Sequence, residues 1–172
     1  MNSLVIQSNH NHLLMGRNYN WKNKLSYFID LTYNPTVIIA PYNETKWVMC
    51  SSCLFLIPAG YSYLHQIYWF SGLCLLIFMA SINYWKRASL SWERILDRIV
   101  AKIKFVVVFT TGVKHVHKIP YLFACYTGVV LSLYFYYMSS YSLYYWWRYH
   151  MMFHLVVILT ELLVIQSMIE SK

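Results

Sequence analysis

Charge is what this chain has least of. Only 12% of its 172 residues are charged, about half the share in an average soluble domain, and just six are acidic. The apolar share is 59%, and it falls in blocks along the chain. That composition excludes a disordered polypeptide. Four cysteines are too few for a small disulfide scaffold. No basic start followed by an apolar core of signal-peptide length is present, so a cleaved signal is not expected. There is no Gly-rich phosphate loop, no G-x-S-x-G elbow, no H-E-x-x-H and no internal repeat. What remains is one integral membrane domain. The 14 Lys and Arg would suggest nucleic acid in a soluble protein. Here they flank apolar runs, where basic residues fix membrane orientation, and the expected partner is the lipid bilayer.

The apolar blocks predict an all-α, polytopic membrane bundle of about five transmembrane helices. Residues 1–46 form a polar, Asn-rich and basic N-terminal segment, with Leu25–Ala40 read as interfacial because Asp30 and Pro35 interrupt it. Predicted spans follow at 47–64, 67–85, 95–113, 119–138 and 143–168, near the roughly 20 residues a bilayer crossing needs. Pro58 and Gly60 predict a kink or fray in the first span. Ser91 is a candidate N-cap for a helix starting near Trp92, and Pro120 fits the first turn of the fourth span. The third span carries the most charge, with Lys102 and Lys104 beside a short apolar run; long basic side chains reach the headgroups from inside a helix end. Between the last two spans, YFYYMSSYSLYYWW reads as an interfacial aromatic belt.

Basic residues concentrate in 1–46 and in the connector holding Lys86, Arg87 and Arg94. The positive-inside rule therefore predicts a cytoplasmic N-terminus, and the sequon at Asn43 is then silent. On this topology Ser81, Asp97, His150 and His154 come from three helices and reach the same leaflet at the same depth. Polar residues inside spans are costly, which makes each a candidate functional residue. His150 and His154, four apart, share one helix face, so both imidazoles can reach one metal. They read equally as two interfacial histidines bonded to neighbouring Tyr and Ser. Cys50 and Cys53 offer three readings: a structural Cys2His2 zinc site with the His pair, a redox pair, or a run of small residues allowing close helix approach. Glu161 lies two turns beyond His154 on the same face, within reach of Lys102 or Lys104.

The pieces SINYWKRASLSWERILD, with Ser81 and Asp97, and YHMMFHLVV, with His150 and His154, resemble the superfamily of membrane hydrolases and receptors that includes alkaline ceramidases and the progestin/adipoQ receptors. The likeness covers about 35 residues in two islands. It implies a zinc-dependent membrane enzyme hydrolysing an amide or ester of a lipid, with Ser81 and Asp97 as catalytic residues around the metal-bound water. The family has seven helices and three zinc-binding histidines, one of them four residues after the Ser. That position here is Trp85, which cannot bind a metal. A Zn²⁺ would then be held by His150, His154, Asp97 and a water, a donor set suited to zinc. A degenerate relative that keeps the fold and loses the chemistry is the other outcome. Two further classes stand beside it: a non-catalytic structural or assembly protein, and an ion or proton conductor resting on Glu161, Lys102 and Lys104.

Overall fold

The computed structural model describes residues 34–142 and 144–171. Five helices in succession form an all-α bundle, and a two-stranded ribbon closes one end of it. Strand β1, Asn34–Ile38, leads into α1, Tyr42–Leu64. Helices α2 (Tyr68–Trp85), α3 (Trp92–His115), α4 (Ile119–Tyr141) and α5 (Trp146–Glu170) follow, with the short strand β2, Ser89–Leu90, between α2 and α3.

Local chemistry explains the boundaries. In α1 the helix tightens to a 3₁₀ turn at Cys53–Phe55, just ahead of Pro58. A proline has no N–H to give and its ring crowds the carbonyl four residues back, here that of Leu54. Helix α1 ends in a Schellman turn: the Gln66 N–H donates to the Tyr63 carbonyl and the Ile67 N–H to the Ser62 carbonyl, at 3.0 and 2.8 Å. Gln66 takes the left-handed conformation this turn demands, with φ 61°. Ser91 caps α3 by its backbone position, Glu93 sits in the first turn, and Pro120 occupies the first turn of α4, where its missing N–H costs nothing.

Contacts along the helices set their directions. Ser51 meets His154 and Tyr61 meets Gln166, so α1 and α5 run parallel. Ser52 meets Ser81, whereas Cys74 lies against Glu161, so α2 runs against both. Lys104 meets Glu161 and His115 meets Ser171, which sends α3 along α5. Tyr121 reaches Glu170 and Tyr136 packs tilted against Phe153, which returns α4 against α5. One end of the bundle therefore gathers Tyr42, Trp85, Trp92, Tyr141 and Trp146.

Helices α1, α2, α4 and α5 are long and apolar enough to cross a membrane. Helix α3 is not among them, because Arg94, Asp97, Arg98, Lys102, Lys104 and Lys114 interrupt it. It nevertheless runs the length of the others, and it turns Arg94 and Lys104 into the interior. The outward faces carry Leu56, Ile57, Leu75, Leu76, Met79, Phe123 and Val130, the apolar surface a hydrocarbon phase requires. Inside, three apolar clusters stack from end to end: Val48 with Trp85 and Trp146, then Phe55 with Ile77 and Ile158, then Phe70 with Val164 and Ile165. Helix α4 packs principally on α5, and Gly128 permits the close approach.

Part of Leu25–Ala40 is the strand of the ribbon, at the end of the bundle. Asn34–Ile38 pairs antiparallel with Ser89–Leu90, and residues 42–46 already belong to α1. Residues 1–33 lie outside the described residues.

Candidate functional site

Consecutive residues on a helix point 100° apart, and α1 uses this at C-S-S-C. Cys50 and Cys53 face outward with free thiols, while Ser51 and Ser52 are buried. This corrects the Cys2His2 reading: the thiols and the imidazoles are on opposite sides of the α1 wall. The serines between them meet the site instead.

Ser51 Oγ is 2.8 Å from His154 Nδ1 and also 2.8 Å from the Val48 carbonyl. Ser52 Oγ is 3.1 Å from Ser81 Oγ and donates to the same Val48 carbonyl at 2.9 Å. Ser81 in turn hydrogen-bonds the Asp97 carboxyl group. His150 and His154 lie with ring centres 4.8 Å apart. The four residues singled out from the sequence are thus drawn into one belt, running Asp97, Ser81, Ser52, Ser51, His154, His150, buried in its middle and half-buried at its two ends. Four helices supply it.

A hydroxyl has one proton and two lone pairs, so a chain of serines has a direction. With Ser52 donating to the Val48 carbonyl, Ser81 can donate its proton to either Ser52 or Asp97, but not to both. Ser51 is in the same position between Val48 and His154: if it donates to the carbonyl, the imidazole must donate to it. Two hydrogen-bonded segments therefore meet at the Val48 carbonyl, Asp97–Ser81–Ser52 on one side and Ser51–His154 on the other, each with its own donor direction.

Trp85 closes the belt at the ribbon end. Its indole meets the His150 imidazole edge to face at 4.9 Å and stacks on Trp146 at 5.6 Å. Trp85 Nε1 is buried and has no hydrogen-bond partner. Position 85, four residues after Ser81, is thus beside the His pair and occupied by a side chain with no lone pair to offer a metal. Among the described residues no three His, Cys, Asp or Glu side chains group together to hold an ion. Asp97 bonds Ser81 and His154 bonds Ser51, and these two segments share only the Val48 carbonyl. The residues present do not fit a three-ligand zinc centre.

A second polar pair lies deeper. Lys104 Nζ is 2.7 Å from Glu161 Oε1, with both side chains at least 96% buried. The Cys74 thiol points to the other oxygen of Glu161 at 3.8 Å. Of the two lysines in reach of Glu161, Lys104 is the partner, and Lys102 faces outward. Phe55 stands between this pair and the belt: Lys104 Nζ is 4.0 Å above its ring and His154 is 5.2 Å from it, centre to centre.

Sequence reasoning missed Ser51, Ser52 and the packing role of Trp85. No local signal marks the serines, because which face of α1 meets α5 is set by packing. Comparison of the chain with protein families, curated proteins and solved structures finds no match.

Proposed function

We propose that this multi-pass membrane protein is a degenerate relative of the membrane lipid hydrolases it resembles, one that keeps their Ser, Asp and paired His as a structural and binding element without a catalytic metal. The observation that carries the reading is the Trp85 indole against His150. The belt itself supports a structural role, because each hydroxyl ties one helix to another and satisfies a polar group that hydrocarbon cannot.

Orientation belongs to the same reading. Lys46, Lys86, Arg87, Arg94, Arg98 and Arg148 gather toward the end where α1 begins, and Lys114 and Lys118 mark the other. The bias supports a cytoplasmic position for the first end.

The test is metal content and lipid hydrolysis by the detergent-purified protein, with His150→Ala/His154→Ala as control. The expected result is no stoichiometric zinc and no release of fatty acid from amide or ester lipids. Zinc at one per chain, lost in the control, overturns the reading and restores the hydrolase. Conduction is less well supported, because Phe55 interrupts the polar file between His154 and Lys104.

A further inference from the structure

The end of the bundle where α1 begins carries a notch that the polar belt does not use. Its volume is about 160 Å³, and Ile38, Ala40, Tyr42, Thr45, Lys86 and Arg87 line it. Engineered cavities of about 150 Å³ take up a guest as large as benzene, so a phosphate group has room. Two of the six lining residues are cations and none is an acid.

The walls are held in place by the backbone. The Ile39 N–H donates to the Ala88 carbonyl at 2.8 Å, which ties the segment after β1 to the turn bearing Lys86 and Arg87. Ala88 adopts φ 36°, a left-handed conformation that reverses the chain directly after the two cations. Ala40 and Ala88 are both buried against Trp85 and Trp146.

The start of α1 borders the same notch. Its N-cap is Pro41, no side chain caps the helix, and Tyr42 and Thr45 of the first turn line the cavity. A helix N-terminus carries about half a positive charge and favours anions. Glu44, the one acid of that turn, hydrogen-bonds Trp146 Nε1 and is not among the lining residues. Lys86, Arg87 and the first turn of α1 therefore border one concavity whose walls are mostly apolar, as an amphipathic ligand requires.

Aromatic side chains place this concavity at headgroup depth. Tyr42, Trp47, Trp92 and Tyr145 are exposed at this end, where amphipathic rings mark the membrane–water interface. The anion most abundant at that depth is lipid phosphate. We propose that the notch binds the phosphate of an anionic lipid headgroup, with Lys86, Arg87 and the first turn of α1 as its positive contacts. The inference rests on the membrane character of the chain and not on the degenerate-hydrolase reading. With no acid to receive a choline ammonium, phosphatidic acid outranks phosphatidylcholine.

Native mass spectrometry of the detergent-solubilised full chain, titrated with dioleoyl phosphatidic acid, dioleoyl phosphatidylcholine or glycerol 3-phosphate, tests this. Phosphatidic acid is expected to bind at one per chain and at least about tenfold more tightly than phosphatidylcholine. Lys86→Gln/Arg87→Gln should weaken it about thirtyfold, the effect of two interfacial charges. Arg148→Gln/Lys114→Gln removes the same charge elsewhere and should weaken it less than about threefold. Ile38→Trp keeps both cations, and so the topology signal, while covering the mouth; it too should lose the tight adduct. Equal losses in the two charge variants, full binding by Ile38→Trp, or equal binding of phosphatidylcholine overturns the proposal. Glycerol 3-phosphate binding as tightly as the lipid assigns the notch to soluble phosphates and overturns the lipid assignment.

Discussion

The edge-to-face contact between Trp85 and His150, ring centres 4.9 Å apart, decides what this site can hold. An indole offers a metal nothing, and its bulk fills the volume beside the imidazole pair. Everything else that could surround an ion is close by, in two histidines and two hydrogen-bonded segments, one of them leading to a carboxylate.

Replacing that indole should therefore create a metal site. Trp85→His places a third imidazole four residues after Ser81 and beside His150. The variant is expected to bind close to one zinc per chain by elemental analysis, and the parent none. Loss of the Trp146 stacking should cost about 2 kcal/mol in the apo variant, by analogy with large-to-small core changes. Zinc should then raise the melting temperature of Trp85→His and leave that of the parent unmoved. A variant that folds but takes up no zinc would show that the His pair is turned away from position 85.

The buried Lys104–Glu161 pair makes an asymmetric prediction. Removing one partner of a buried ion pair strands the other charge, at a cost of about 3–5 kcal/mol. Glu161→Gln leaves an ammonium over the Phe55 ring with no counter-charge, and should destabilise by that amount in detergent unfolding. Lys104→Met leaves a carboxyl that can take up a proton and become neutral, so its cost should be smaller. Lys104→Met/Glu161→Leu should recover to within about 1 kcal/mol of the parent, because a filled apolar interior replaces both charges. If the double variant is as unstable as the sum of the singles, the pair is not coupled and the geometry is wrong. Ion flux through reconstituted Glu161→Gln should equal that through the parent, and a loss of flux would revive the conductor class.

Much of this architecture was legible in the sequence, and the exceptions share a cause. Helix boundaries within a few residues followed from apolar run length, Ser91 and Pro120, because those signals are local. Helix α1 begins at Tyr42 and not at Trp47, since Asn43, Glu44 and Lys46 look like loop but make an acceptable first turn after Pro41. The convergence of Ser81, Asp97, His150 and His154 was readable from topology alone. Ser51 and Ser52 were not, because their role depends on α1 lying parallel to α5, a fact set by packing. The ribbon escaped for the same reason: β1 pairs with a two-residue strand more than 50 positions away. Trp85 was readable as a non-ligand, while its stacking between His150 and Trp146 needed the fold.

A smaller prediction concerns Gln66. Its φ of 61° is tolerated by a Cβ-bearing residue only at a cost, about 1 kcal/mol, and the Schellman turn keeps it there. Gln66→Gly removes the clash and should stabilise the chain by up to about 1 kcal/mol, less whatever unfolded-state freedom glycine adds. Gln66→Val, β-branched at the same φ, should destabilise. Thermal unfolding of both variants checks the sign; equal melting temperatures would mean the turn is not held in this form.

The last prediction concerns the seam between α4 and α5, which is where α4 is attached to the bundle. A Cβ added at Gly128 would collide with Thr160 Oγ1 and lie 3.2 Å from Thr160 Cβ. Thr160 cannot easily move, because its hydroxyl donates to the Val156 carbonyl at 2.8 Å and its β-branch restricts rotation. Gly128→Ala must therefore push the helices apart, costing about 1–3 kcal/mol as overpacking does. Gly112 of α3, which faces α5 with Val164 Cγ2 at 3.5 Å from an added Cβ, is in ordinary contact, and Gly112→Ala should be nearly neutral. Thr160→Gly in the Gly128→Ala background removes every clashing atom and should restore the close approach, though glycine in the middle of α5 costs about 1 kcal/mol of its own. Thr160→Ala removes the hydroxyl and methyl but keeps the 3.2 Å contact, so it should rescue only in part. The ranking Gly112→Ala, then the two rescued doubles, then Gly128→Ala alone is specific to this seam. A Gly128→Ala variant as stable as the parent would mean that α4 does not pack on α5 at this register.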